Sequence, residues 1–299
     1  MRVTTEPTIR VLDAPRCHLG EGPSYDPATD TAWWVDILDR RLFEMPLGEG
    51  AGPVRVHDLP FMASYIAAID GARHLLAGED GLYVRTPLDG RLTRHCALED
   101  DDPSTRANDG RVHPSGALWI GTMGRDAERG RGAIYHVAGT RVTRLYSGIT
   151  IPNGIAFSPD GRVGYFVDTM EGVLRRVAVD PATGIPVGEP DTHYHHGDGP
   201  GGIDGAAVDA DGVIWTARFG AACLDAYSPA GDRIRTVPVP PRQPTCPTFA
   251  GRDLDQLLVT SAYEGLDEAE RAADPEHGRT LLVGIGARGL LEPAFRLTA

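Results

Sequence analysis

An all-β fold built from six repeated units is what the sequence predicts, and two observations lead to it. Short apolar runs bounded by Asp-Gly, Pro-Asp-Gly and glycine-rich turns recur along the 299 residues, as in FSPDGRVGYFVD, whereas long amphipathic helical patterns are scarce. Six such runs align at intervals of 42, 43, 47, 49 and 43 residues, with these residues in register: Trp34, Leu76, Trp119, Phe166, Trp215 and Leu258. Units of this length are typical of the four-stranded blades of a β-propeller. We therefore expect a six-bladed propeller around a central channel.

The two ends of the chain are expected to complete one blade together. The segment IRVLDA near Val11 and the segment from LLVGIGARG to PAFRLTA both have strand patterns. Pairing them would close the ring without leaving an exposed sheet edge. Since no linker divides the sequence, residues 1–299 are predicted to form a single propeller domain.

Composition narrows the class of partner. Lys and Arg total 29 against 42 Asp and Glu, a formal charge of -13. This charge argues against nucleic acid or an anionic membrane surface and favours a small polar ligand or a metal ion. Because MRVTTEPTIR lacks the apolar core of a signal peptide and no run of about 18 apolar residues occurs, we expect a soluble, cytoplasmic protein. The four scattered cysteines form no CxxC pair and are expected to be reduced thiols.

Four polar residues occupy one position in the repeat. Counted back from the aligned residue of its own unit, each lies 11 or 13 residues upstream: Glu21, Asn108, Asn153 and Asp204. Each abuts a glycine or an Asp-Gly pair. Because the innermost strand of every blade lines the channel, equivalent positions should converge near its axis. The two remaining units offer Ser64 or Tyr65 and Cys246 there.

Two carboxylates and two carboxamides at one point indicate a site for a hard divalent cation. Carboxylate and amide oxygens are the ligands that such ions prefer, and two negative charges balance a 2+ ion. Any one Asn-Gly or Asp-Gly pair is more simply explained as a turn. Turn formation, however, does not require all four to precede an apolar strand by nearly the same interval. Calcium or another divalent ion is therefore predicted.

The motifs closely resemble those of the senescence marker protein, gluconolactonase and regucalcin family of six-bladed propellers. The likeness runs from about residue 10 to the C-terminus and is carried by HLGEGPSYDPATDTAWWVDI, RANDGRVHPSGALWIGTM, IPNGIAFSPDGRVGYFVDT and GGIDGAAVDADGVIWTA. It implies that Glu21, Asn153 and Asp204 bind one divalent cation, with calcium, zinc, manganese or magnesium as the ion. It also implies hydrolysis of aldonolactones, with the sugar contacted by Arg106 and Asn108 of the RxNDG motif.

The sequence departs from the family pattern after the GTM motif. Regucalcin-like members carry a glutamate there that reaches the substrate, whereas GTMGRD places Arg125 and Asp126 in that region. Asp126 is therefore the candidate substrate-binding residue in this region. Farther along, the His-rich segment 191–202 is a candidate lid over the mouth of the channel.

The predicted chemistry is the opening of a sugar lactone to its aldonic acid. A carbonyl oxygen bound to the ion would be polarised, and Asp204 is assigned as the general base that takes a proton from the attacking water. Two alternatives stay open, because fold and metal site do not fix chemistry. One is a calcium-dependent esterase, phosphotriesterase-like or synthase propeller, which lactones tested against paraoxon-like esters would separate. The other is a calcium-binding regulatory protein without turnover.

Overall fold

The predicted propeller is confirmed. A computed structural model describes residues 6–48, 50, 52–197 and 199–298, and its strands form six antiparallel sheets of four strands each. The first strand of each sheet contacts the first strands of the two neighbouring sheets, and the last of them returns to the first, so the six sheets close into a ring around a channel. We call these channel-lining strands the inner strands and the end of the channel where they begin the entry end.

Strand β1 (Thr8–Val11) precedes the first complete blade. Blade 1 comprises β2 (Gly20–Asp26), β3 (Thr31–Asp36), β4 (Arg41–Pro46) and β5 (Arg55–Asp58). Blade 2 comprises β6 (Tyr65–Asp70), β7 (Arg73–Ala77), β8 (Gly81–Arg85) and β9 (Leu92–Ala97). Blade 3 comprises β10 (Thr105–Val112), β11 (Leu118–Gly124), β12 (Gly132–Ala138) and β13 (Arg141–Ile149).

The second half of the ring follows the same meander. Blade 4 comprises β14 (Pro152–Phe157), β15 (Val163–Asp168), β16 (Val173–Ala178) and β17 (Asp191–His195). Blade 5 comprises β18 (Gly202–Val208), β19 (Ile214–Phe219), β20 (Cys223–Tyr227) and β21 (Arg233–Pro238). Blade 6 contains β22 (Pro244–Ala250), β23 (Gln256–Ser261) and, after the short helix α1 (Glu268–Ala273), β24 (Leu281–Gly284). No helix of the described ranges is long and apolar enough to cross a membrane.

The N-terminal strand completes blade 6, as predicted from the two ends of the chain. β1 pairs antiparallel with β24, from Thr8 opposite Gly284 to Val11 opposite Leu281. The prediction for PAFRLTA is wrong, because β1 already fills the outer position and the described residues 293–298 form no strand. It crosses instead to blades 2 and 3, where the Phe295 N–H donates to the Ala68 carbonyl at 2.8 Å and the Phe295 ring is buried.

The core lies between neighbouring blades. All six aligned residues of the repeat fall in the second strand of their blade and are at most 4% exposed. Trp34, for example, stacks on Phe43 and packs against Leu258 of the adjoining blade 6. One apolar cluster fills each of the six interfaces between blades, which explains why a single unit could not bury its faces alone. All four cysteines are free thiols, as expected.

Part of the predicted lid belongs to a blade. Residues Asp191–His195 form β17, the outer strand of blade 4. His193 is buried there, with its Nε2 3.1 Å from the Ser228 carbonyl oxygen of blade 5 and its ring against Tyr165. This part of the His-rich segment therefore joins two blades, and the lid prediction is wrong for it.

A shared irregularity in the inner strands positions the polar residues. The register between first and second strand shifts near the entry end in five blades, between Glu21 and Ser24, Ala107 and Gly110, Asn153 and Ala156, Ile203 and Ala206, and Pro244 and Pro247. An extra residue at such a bulge leaves the ladder and re-aims its side chain. The polar residues of the repeat therefore lie within or beside the bulges.

Candidate functional site

The sequence-predicted residues of blades 1, 3, 4 and 5 lie at the entry end of the channel. Each belongs to the first four residues of an inner strand: Glu21 in β2, Arg106 and Asn108 in β10, Asn153 in β14, and Asp204 in β18. Four of them are at most 9% exposed, and Asn108 is half-buried. The structure thus brings five of the six candidate residues together.

A chain of hydrogen bonds fixes the two asparagines. The Asn108 amide nitrogen donates to Asn153 Oδ1 at 2.9 Å, and Arg106 NH1 donates to Asn108 Oδ1 at 2.8 Å. The Asn153 amide nitrogen donates in turn to Thr169 Oγ1 at 2.9 Å. Each side-chain carbonyl oxygen therefore accepts one hydrogen bond and keeps one lone pair, but that of Asn108 lies against the positive charge of Arg106, which leaves Asn153 as the better ligand for a cation.

Two glycines bracket Glu21 because the backbone passes close to neighbouring blades. Gly22 has φ +50°, and a Cβ there would lie 2.6 Å from the Ser64 carbonyl oxygen. A Cβ on Gly20 would lie 2.7 Å from the Ser261 carbonyl oxygen. Only glycine fits both places, and the strand then turns the Glu21 carboxylate back to accept the Gly22 N–H at 3.1 Å.

Among the described residues, no positively charged side chain forms an ion pair with the carboxylate of Glu21 or Asp204. Burial, reinforced by Asp109, raises the pKa of Glu21 to about 8. Burial and the charge of Glu21 raise the pKa of Asp204 well above its ordinary value. Neither side chain forms an ion pair with any residue of the described ranges. Two buried like charges are costly without a cation between or beside them.

The donor set fits a hard divalent cation. Two carboxylates and the free lone pair of an amide oxygen are the chemistry that calcium accepts, and a bound cation would offset the repulsion between Glu21 and Asp204. Within the described ranges, no three His, Cys, Asp or Glu side chains come together as a metal-binding group. The candidate centre accordingly depends on Asn153 as its third oxygen donor.

Asp109 is a channel residue that sequence reasoning did not single out. Its Oδ2 accepts the Ile155 N–H of blade 4 at 2.7 Å, and its Oδ1 accepts the Gly110 N–H at 2.9 Å. Burial, partly opposed by Arg111, raises the pKa of Asp109 to about 6. The signal was present in RANDG, but the Asp-Gly pair has the appearance of an ordinary turn. Asp109 instead joins the bulges of blades 3 and 4.

Asp126 is not brought to the other five candidates. It is exposed in the turn after β11, where its N–H donates to Glu128 Oε2 at 3.1 Å. Burial lowers the pKa of Arg106, and the charge of the neighbouring Arg125 acts in the same direction. Arg125 is held by Glu79 Oε2 at 2.5 Å and by the Pro103 carbonyl at 2.8 Å. Substrate binding by Asp126 stays a prediction.

This arrangement of blades and entry-end residues matches one family along most of the chain. Residues 19–263 match the family model described as SMP-30/gluconolactonase/LRE-like region. The chain belongs to the SMP-30/gluconolactonase/LRE-like family. The family match spans all of the candidate residues, from Glu21 to Asp204.

Several relatives in the SMP-30/gluconolactonase/LRE-like family carry names that describe an activity or a ligand. The chain is 52% identical to a Rhizobium meliloti (strain 1021) protein whose name marks it provisionally as a sugar lactone lactonase, covering 96% of this chain and 97% of that one. It is 35% identical to the pentonolactonase XacC of Haloferax volcanii, covering 96% and 97%. A crystal structure of regucalcin from Agrobacterium tumefaciens, described as a calcium-binding protein, superposes with a TM-score of 0.94 at 49% identity and covers 98% of both chains.

Proposed function

We propose that this protein is an enzyme that hydrolyses the ester bond of a sugar lactone, such as a glucono- or pentonolactone, to give the aldonic acid. One observation carries the proposal: the buried carboxylates of Glu21 and Asp204, without an ion-pair partner among the described residues, share the entry end of the channel with the Arg106 guanidinium and the Asn108 side chain. Relatives named as lactonases support the same substrate class.

Glu21, Asn153 and Asp204 would hold one divalent cation. Calcium suits the all-oxygen donor set best, and zinc, manganese or magnesium are the alternatives. When bound, such an ion supplies Lewis-acid polarisation of a lactone carbonyl and offsets the negative charge that develops on its oxygen. The regucalcin structure described as calcium-binding supports this choice of ion.

Proton transfer and substrate positioning are assigned to the protein's own residues. Asp204 accepts a proton from the water that attacks the lactone carbonyl carbon, and it returns that proton to the ring oxygen as the carbon–oxygen bond breaks. Arg106 donates hydrogen bonds to substrate hydroxyls and fixes the pose of the ring. Asn108, whose amide orientation is set by Arg106 and Asn153, lines the same face. These roles require no covalent intermediate.

Replacing Asp204 by asparagine tests the proposal. We expect Asp204→Asn to lower kcat for glucono-1,5-lactone by about 10²- to 10⁴-fold, since it removes the proton acceptor. Acid release is followed in a pH-stat above the spontaneous rate, with EDTA-treated protein refilled with calcium, manganese, zinc or magnesium. Asp232→Asn, at an exposed turn of blade 5, is the matched control and should leave the rate unchanged.

The outcomes of this assay separate the proposal from its alternatives. Wild-type protein that opens no glucono- or pentonolactone faster than buffer, while still binding calcium, would contradict lactone hydrolysis. Turnover of paraoxon-like esters would then identify an esterase or phosphotriesterase-like enzyme, and binding without any turnover would identify a regulatory calcium-binding protein. Full activity in Asp204→Asn would contradict the assignment of the base alone.

A further inference from the structure

Glu264 lies beside the entry end of the channel and was not among the sequence candidates. Its backbone is held on both sides, because its N–H donates to the His18 carbonyl at 3.0 Å and its carbonyl accepts from Gln243 Nε2 at 2.9 Å. His18 is three residues before Glu21, and Gln243 immediately precedes the inner strand β22. The loop after β23 is therefore fixed next to the starts of two inner strands.

The charge of the Glu264 carboxylate acts on the charged residues of the site. After burial, Glu264 is the largest influence on the pKa of Arg106, ahead of Glu21. It also acts on the pKa of both Glu21 and Asp204. Yet its side chain forms no hydrogen bond or ion pair within the described part of the chain, and the residue is half-buried rather than exposed. Glu264 thus carries an acceptor without a partner among the described residues, on a backbone fixed beside the starts of β2 and β22.

We propose that Glu264 is a substrate-binding residue whose carboxylate accepts a hydrogen bond from a ring or side-chain hydroxyl of the sugar lactone. A sugar hydroxyl both donates and accepts, so it can donate to Glu264 while it accepts from Arg106 across the space between them. The role rests on the proposed lactonase function. It also specifies the substrate further, because a carboxylate here favours polyhydroxylated lactones over lactones without hydroxyls.

Kinetics on two lactones test this role. We expect Glu264→Ala to raise KM for glucono-1,5-lactone by about tenfold with kcat nearly unchanged, since a charge-assisted hydrogen bond is lost. Glu264→Gln, which keeps an acceptor without the charge, should fall between Ala and wild type. KM for δ-valerolactone, which has no hydroxyls, should not change in either variant. Glu268→Gln, at an exposed position in the first turn of α1, is the matched control.

Calcium titration by calorimetry on the same variants supplies a readout independent of activity. Unchanged calcium affinity together with the KM effect on gluconolactone alone supports the role. Weaker calcium binding, or equal losses on both lactones, would show that Glu264 serves the cation site and would overturn it. So would unchanged kinetics on gluconolactone in an active enzyme. Wild-type protein that opens neither lactone would overturn the proposed function itself, and this role with it.

Discussion

At the scale of single residues, His74 is a titratable group whose surroundings oppose its charge. It is 9% exposed, its ring lies 4.6 Å from that of Trp33, and its Nδ1 has no hydrogen-bond partner within the described residues. Burial and the nearby Arg85 guanidinium lower the pKa of His74 to about 4. The carboxylates of Asp26, Glu44 and Asp70 act in the opposite direction and do not compensate.

His74 should make the protein sensitive to acid. Its pKa is 6.5 unfolded and about 4 folded, so between these values the unfolded state binds more protons and the free energy of unfolding falls as pH falls. The loss for this one group is at most about 3 kcal/mol. We expect the free energy of unfolding of His74→Leu to fall less than that of wild type between pH 7 and pH 4.5. Urea unfolding at several pH values measures it, and parallel curves for the two proteins would contradict the assignment.

At the scale of elements, the bulge in β2 aims the Glu21 carboxylate, and Gly22 makes it possible. Gly22→Ala would place a Cβ at φ +50° and 2.6 Å from the Ser64 carbonyl oxygen. We expect it to lower the free energy of unfolding by about 1 to 3 kcal/mol and to weaken calcium binding, because blades 1 and 2 must separate. Gly71→Ala is the control, since a Cβ there meets nothing within 4 Å. Urea unfolding and calorimetry would measure both effects, and intact calcium affinity in Gly22→Ala would show that the bulge tolerates the change.

The bulges also explain how much of the site the sequence could predict. The spacing of apolar anchors predicts blades, and counting back from them finds Glu21, Asn153 and Asp204, because each repeats one position of the unit. The role of Asp109 could not be predicted, because an Asp-Gly pair has the same sequence whether it makes a turn or joins two blades. Glu264 could not be predicted for a different reason, since it follows β23 and only the folded chain brings its backbone against His18.

The C-terminal segment shows the same limit for the fold. PAFRLTA has a strand-like alternation, but whether a strand forms depends on a free sheet edge. β1 already occupies that edge in blade 6, so Phe295 packs between blades 2 and 3 instead. Local pattern predicts that a segment can pair, whereas the competition between the two ends of the chain decides whether it does.

At the scale of the whole molecule, the channel is joined to the C-terminal segment by a buried ion pair. Arg111 reaches from the inner strand of blade 3 to the Ala206 carbonyl of blade 5 at 2.7 Å and to Glu292 Oε1 at 3.0 Å. Tyr65 of blade 2 donates to the same Glu292 oxygen at 2.5 Å. Blades 2 and 3 and the C-terminal segment thus meet at one carboxylate, and Arg111 links them to blade 5.

Removing that carboxylate should lower the stability of the protein. Glu292→Ala leaves the Arg111 charge buried without its partner, and we expect the free energy of unfolding to fall by about 3 kcal/mol. Replacing both residues, as Arg111→Met with Glu292→Leu, should recover part of this loss because no unpaired charge remains. Glu189→Ala, at an exposed position of blade 4, is the control for urea unfolding. A Glu292→Ala protein as stable as wild type would contradict the expected loss.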